Sequence, residues 1–319
     1  MAFHKWWYLR TILKYSHPLI SIYEKNKIRK LGEVPSKEPC LFILGAPRTG
    51  STILYQLITD LLDVLYIDNL ANFARYNPYF GLGLSSRFYG NQAHHSYKSS
   101  FGSTIQQGLH APAEALFIYK WFPKDHHYTE ISDLRADKIS SFQNTINAII
   151  NRDSKPLVIK NLSFGLRLQV LTEVIPNAKY LVIKRDPLFT AQSIILAKQK
   201  NKIPEQKIWG IRPKNYLHLE RMDPLKSVVM QVYSIEKQIH DDLKKVSPES
   251  ILYIDYEKLS PNPELVINEV VHLIGPNVKH RPHSSIPDIS ISNQICLPEN
   301  VIESLQTHIG ELDWINYNS

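Results

Sequence analysis

CLFILGAPRTGSTILYQLITDLL, residues 40–62, decides the fold. Its first five residues are apolar, too few for a helix of ordinary length and suited to a strand covered on both faces. GAPRTGST, residues 45–52, then brackets an arginine between two glycines and carries three hydroxyl residues, Thr49, Ser51 and Thr52. The remainder places apolar side chains at the three-to-four-residue spacing of a helix. Strand, glycine loop and helix in that order let successive backbone N–H groups curl around an oxyanion at the positive end of the helix.

Three further apolar runs support the same architecture: LVIK at 157–160, YLVIK at 180–184 and ILYI at 251–254. Longer mixed segments separate them, and the pattern predicts helices at 51–62, 136–150, 165–175, after Pro187, and at 225–245, 263–274 and 298–309. The expected fold is α/β, with a mainly parallel central sheet flanked by helices in three layers. Segments 76–110 and 198–224 are too long for simple connections and are read as insertion loops that shape a substrate site. With 43% hydrophobic residues, the 319-residue chain can bury a sizeable core, which excludes a disordered or fibrous protein. Cys40 and Cys296 stand alone, so neither a disulfide framework nor a zinc cluster is expected. His94-His95, His126-His127 and His280 with His283 lack zinc-like spacing to a carboxylate; they read as solvated loop histidines, and no metal is expected.

Gly45 and Gly50 have the spacing of the triphosphate loop GxxxxGK[ST], but Ser51 stands in place of its lysine and Arg48 supplies a cation earlier. Phosphoryl transfer from ATP needs that lysine on the terminal phosphates, so it is disfavoured. A second anion site is predicted at Arg185-Asp186-Pro187, where a strand ends. Asp186 suits a helix cap and Pro187 a first turn. Ser193, two helical turns on, can join Arg185 on one anion. Anion sites after two strands of one parallel sheet imply a ligand with separated phosphates.

These residues resemble sulfotransferases. PRTGST is similar to the 5′-phosphosulfate loop of bacterial and carbohydrate sulfotransferases, and RDP with the later serine resembles their 3′-phosphate site. LVIKNL, with Lys160, resembles the lKsP-like segment of relatives, although Asn161-Leu162 replace its SP. ILYIDYEKLSPNPELVINEVVHLIG resembles the YExL–P–FLG region near the end of such domains. The likeness covers roughly residues 39–310. It implies a P-loop-like fold and sulfuryl transfer from 3′-phosphoadenylyl sulfate (PAPS) to an acceptor hydroxyl or amine, without a metal. It also implies that Arg48, Thr49, Gly50, Ser51 and Thr52 bind the 5′ end of the donor, with Arg48 stabilising charge on the leaving phosphate, and that Arg185 and Ser193 bind the 3′ phosphate.

An acceptor hydroxyl must lose a proton, and two candidate bases lie in HAPAE, residues 110–114. Glu114 is favoured, since similar bacterial sequences carry a PxE-like segment with a glutamate base; His110 is second, and would share a face with Glu114 if the stretch were helical. Lys160 is expected to contact the sulfuryl group or a neighbouring carboxylate. Trp209, Arg212, Lys214 and Tyr216 in one insertion, with Tyr89, His94 and Tyr97 in the other, offer stacking faces and cations for a saccharide or glycolipid acceptor. Two other readings stay open. Asp255 mimics the magnesium-positioning acid of a P-loop kinase or NTPase, and a non-catalytic anion-binding protein would have the same sites without a base.

Thirty-seven Lys and Arg oppose thirty Asp and Glu. Six of the seven net positive charges fall in residues 1–30, where Lys5, Arg10, Lys14, Lys25, Lys27, Arg29 and Lys30 face only Glu24. We read 1–36 as a basic aromatic extension before a domain spanning 37–319. Trp6, Trp7, Leu9, Ile12 and Leu13 can line an interfacial helix or one packed on the domain. No apolar run there reaches the length of a signal peptide or a membrane span, so a cytoplasmic location, with peripheral contact to an anionic membrane, is expected. Nucleic acid is not an expected partner, because no aromatic-basic module accompanies the charge.

Overall fold

Five short strands lie side by side in the order β2-β3-β1-β4-β5, all parallel. They are β1 (Cys40–Leu44), β2 (Leu65–Tyr66), β3 (Leu157–Lys160), β4 (Ala178–Lys184) and β5 (Ile251–Asp255). The structure is a computed structural model and describes residues 6–282, 286–287, 289, 291 and 293–314; Lys5 and His283 therefore lie outside the described residues. All four predicted strands are present. The fifth, β2, is two residues long, too short to show a periodicity.

The helices are α1 (Trp7–Tyr15), α2 (His17–Leu31), α3 (Ser51–Leu61), α4 (Asn69–Phe73), α5 (Pro78–Tyr89), α6 (Ala136–Asp153), α7 (Leu168–Val174), α8 (Pro187–Lys200), α9 (Tyr216–Leu219), α10 (Pro224–Leu243), α11 (Pro263–Ile274) and α12 (Glu299–Gly310). Central β1 is buried at every residue, and its alternation divides the core into two layers. Phe42 and Leu44 join Phe142, Phe164, Leu171, Ile194 and Val232 on one face. Leu41 and Ile43 join Leu54, Ile58, Val266 and Val270 on the other. Helices on both faces complete the three layers, and each fully buried Leu, Ile or Phe contributes about 1.5–3 kcal/mol of transfer free energy.

Helices α1 and α2 pack on the domain by one side. Asn151 donates to the Leu31 and Val34 carbonyls at 2.8 and 2.9 Å, and buried Glu24 pairs with Lys120 at 3.3 Å. Ser16 between them keeps right-handed helical angles, and its N–H reaches the Ile12 carbonyl, so the two helices run almost continuously.

Candidate active site

β1 delivers the chain into the 45–50 loop at the carboxyl edge of the sheet. Arg48 sits at φ 73°, a left-handed conformation a side-chain-bearing residue adopts at a cost. Gly50 follows at φ 88° and caps α3; a Cβ there would lie 2.2 Å from a Tyr256 ring carbon, so the position requires glycine twice over. Thr49 Oγ1 donates to the Ala46 carbonyl at 2.8 Å and ties the loop. The first intrahelical bond of α3 runs from Leu54 N–H to the Gly50 carbonyl, so the N–H groups of Ser51, Thr52 and Ile53 precede the ladder and give the loop a concave donor surface.

Arg185 emerges from the end of neighbouring β4. Its Nη1 donates to the Arg48 carbonyl at 3.1 Å, its Nε and Nη2 donate to Asn293 Oδ1, and its guanidinium lies 4.8 Å from the centre of the Tyr256 ring. Asp186 caps α8 by accepting from Leu188 N–H at 2.8 Å, as its place before Pro187 predicts. That helix carries Ser193, whose Oγ accepts from Arg48 Nε at 3.0 Å. The residues expected at the two anion sites thus adjoin, and Arg48 and Arg185 line one cavity. Burial, and next the facing Arg185 charge, push the Arg48 guanidinium below its ordinary pKa. Burial does the same to Arg185. An anion seated between two such cations would relieve both.

Lys160 ends β3, on the other side of β1 and in register with Ile43. Its almost fully buried Nζ donates to Glu114 Oε1 at 2.5 Å and to Thr52 Oγ1 at 3.1 Å. Glu114 is held by its own backbone. Ala113 N–H bonds the Ile67 carbonyl and Ala115 N–H the Lys160 carbonyl. Asn72 of α4 donates to the Glu114 carbonyl at 2.7 Å and accepts from Leu116 N–H. Gly102, at φ 90°, lies over Thr52, Glu114 and Lys160; a Cβ there would be 3.7–3.8 Å from all three.

Two cavities meet at this group. The first, about 360 Å³, is lined by Arg48, Ser51, Thr52, Lys160, Arg185, Trp209 and Tyr256, among others. The second, about 480 Å³, is lined by Trp6, Trp7, Arg10 and Lys14 of the amino-terminal segment and by Asn72, Arg75 and Tyr76. Glu114, Phe101 and Gly102 belong to both walls. Glu114 keeps 42% of its side chain exposed.

Other expected residues lie elsewhere. Residues 108–115 are not helical, because Pro112 bridges Asp68 in extended pairing. His110 and Glu114 therefore share no helix face; an extended chain sets residues four apart up to about 13 Å from each other. The His110 ring stacks on Tyr89 at 4.0 Å and lines a different cavity, beside Arg281. His94 and Tyr97 pin the 76–110 insertion to α3 through Thr59 and Asp60. Arg212, Lys214 and Tyr216 line a fourth hollow with His126 and His127, and of that loop's four expected acceptor contacts Trp209 alone is on a cavity wall beside Glu114. Neither His94 nor His127 is the solvated loop histidine its sequence suggests, since both side chains are buried. Asp255 ends the edge strand and pairs with Lys258 at 3.0 Å. Among the described residues no group of three His, Cys, Asp or Glu is placed to hold a metal. Conversely, Asn72, Phe101, Gly102 and Asn293 escaped sequence reasoning, whereas Tyr256 stands in the quoted YEKL stretch and was within its reach.

A profile of the sulfotransferase family matches residues 39–279, most of the chain, and the chain belongs to that family. It is 23% identical over 292 residues to the omega-hydroxy-beta-dihydromenaquinone-9 sulfotransferase of Mycobacterium bovis, covering 85% of this chain and 73% of that protein. The protein of the same name from Mycobacterium tuberculosis gives the same figures. The crystal structure of a sulfotransferase from Mycobacterium tuberculosis H37Rv shares the fold at a TM-score of 0.52 and 14% identity, over 92% of this chain and 82% of that one. The α/β architecture is thus the P-loop-like fold of sulfotransferases.

Proposed function

We propose that this sulfotransferase moves a sulfuryl group from PAPS to a hydroxyl of an amphiphilic acceptor, with Glu114 as the general base. The observation that carries the proposal is the position of Glu114 on the common wall of the two cavities, bonded to Lys160. In this reading the first cavity takes the donor. The loop N–H groups of Gly50, Ser51 and Thr52, with Arg48 and tied by Thr49, hold the 5′ phosphosulfate, while Arg185 and Ser193 hold the 3′ phosphate. Lys160 faces the sulfuryl oxygens.

The acceptor oxygen attacks sulfur, the bond from sulfur to the bridging phosphate oxygen breaks, and its electron pair leaves on adenosine 3′,5′-bisphosphate. The acceptor proton passes to the Glu114 carboxylate. Arg48 and the loop amides stabilise the charge that develops on the leaving phosphate. The sulfuryl group carries less charge than a phosphoryl group, so side-chain cations suffice for this step.

The second cavity takes the acceptor. Aromatic rings and the cations Arg10, Lys14 and Arg75 line it, a setting for a partly apolar molecule with a polar, hydroxyl-bearing end; a glycolipid fits that description better than a free saccharide. The mycobacterial relatives, whose name gives a hydroxylated menaquinone, point the same way. Glu114→Gln tests the assignment: turnover should fall at least about a hundredfold while bisphosphate affinity, read by calorimetry, stays within about twofold. A Gln variant with near-normal turnover would remove Glu114 from the chemistry. Tighter binding of magnesium-ATP than of the bisphosphate would replace the donor.

A further inference from the structure

The helical segment formed by α1 and α2 turns an apolar stripe outward. Tyr8, Ile12, Tyr15, Leu19 and Ile22 recur every three or four residues and are 60–76% exposed. That spacing keeps them on one side of a helix. The opposite side carries the anchors: Leu13 is buried, His17 bonds Asn77 at 2.8 Å, and Glu24 accepts from Phe80 N–H. Exposed Trp7 and Tyr23 widen the stripe. Arg10, Lys14, Lys25, Lys27, Arg29 and Lys30 are exposed on the same segment, and between residues 6 and 32 the single acid, Glu24, is buried.

From this arrangement we propose that the α1–α2 face docks the enzyme on an anionic lipid bilayer, with the mouth of the acceptor cavity at the lipid surface. The inference rests on the assignment of the second cavity to the acceptor. Aromatic and aliphatic side chains enter the interfacial zone while lysines and arginines meet lipid phosphates. The stripe also has the spacing of a helix–helix seam, but a second copy would set six cations against six cations with no exposed acid between them, whereas an anionic bilayer attracts every one. Continuity with the site adds a reason. Trp6, Trp7, Arg10 and Lys14 are at once part of this segment and wall of the cavity that ends at Glu114. A bilayer-resident amphiphile would therefore enter polar end first, without crossing water. No helix among the described residues is long and apolar enough to cross a membrane, so attachment through this face is peripheral.

Sedimentation with phosphatidylglycerol/phosphatidylcholine vesicles, without donor or acceptor, tests the docking face apart from the chemistry. The full chain should bind at low salt, bind phosphatidylcholine alone at least tenfold more weakly, and detach at high salt. Ile12→Ser/Leu19→Ser/Ile22→Ser, three positions off the cavity wall, should lose at least tenfold in vesicle binding and keep its bisphosphate affinity and melting temperature. Glu114→Gln should bind vesicles like the wild type, which separates failure of docking from failure of the proposed base. Absence of vesicle binding, equal binding to neutral vesicles, or a dimer in ultracentrifugation that the triple variant dissolves would overturn the proposal.

Discussion

At the scale of single residues, charge and geometry explain why some site residues are legible in the sequence and others are not. Arg48, Lys160 and Arg185 stand beside or at the ends of apolar runs, and in a parallel sheet every such end lies on the same edge, so finding the strands locates the side chains. His110 fails for the same kind of reason: its pairing with Glu114 presumes a helix that Pro112 and the extended contact with Asp68 prevent. Asn293 carries no sequence signal, since it reaches Arg185 from 108 residues away. The Arg185 assignment predicts a selective loss. Replacing the guanidinium by alanine removes charge-assisted hydrogen bonds worth about 1.5–3 kcal/mol to an anion, or roughly ten- to a hundredfold in affinity. Arg185→Ala should weaken adenosine 3′,5′-bisphosphate by that factor. Adenosine 5′-phosphosulfate, which lacks the 3′ phosphate, should change by less than about threefold. Equal losses for both nucleotides would place Arg185 at the other end of the donor.

The elements are set by short, strong signals. β1, β3, β4 and β5 are apolar runs bounded by polar residues, while β2 has two residues and is held by pairing with β3 rather than by its own pattern. The junction between β1 and α3 is the most constrained of these. Gly50 holds a left-handed angle at the start of α3 and leaves room for the Tyr256 ring, which in turn lies against Arg185. Gly50→Ala would add a methyl inside that ring's space and strain the backbone by about 1–2 kcal/mol. Tyr256 must then move, and the cradle opens. We expect a melting temperature several degrees lower and bisphosphate affinity reduced more than tenfold. Gly50→Ala together with Tyr256→Ala relieves the clash but not the left-handed angle, and should lose less stability than the two single losses added together. A single variant that melts and binds like the wild type would show that the ring does not fix the loop.

Across the whole molecule, buried ionisable groups tie stability to pH, and two of them pull in opposite directions. Burial pushes His127 down to about 4, chiefly by desolvation, with the nearby Arg167 and Arg212 charges adding to it; its Nδ1 accepts from Arg212 N–H at 2.9 Å. The unfolded chain binds that proton at about 6.5, so His127 contributes stability that is complete above 6.5 and lost as the pH falls toward 4. Burial pushes Asp68 up to about 7, against the hydrogen bonds it accepts from Ala71 N–H and Ser85. Its folded form holds a proton that the unfolded chain releases near 4, so stability is lost as the pH rises from about 4 through 7. The wild-type profile mixes these slopes, and difference measurements separate them. Relative to wild type, His127→Gln should gain in melting temperature as the pH falls from 6.5 to 4.5, whereas Asp68→Asn should gain as it rises from 4.5 to 7.5. Asp68 also caps α4, whose Asn72 clamps the Glu114 backbone. Asp68→Asn keeps an acceptor for Ala71 N–H without the buried charge and should retain turnover at pH 7.5. Parallel difference profiles for the two variants would refute the opposed burial of acid and base.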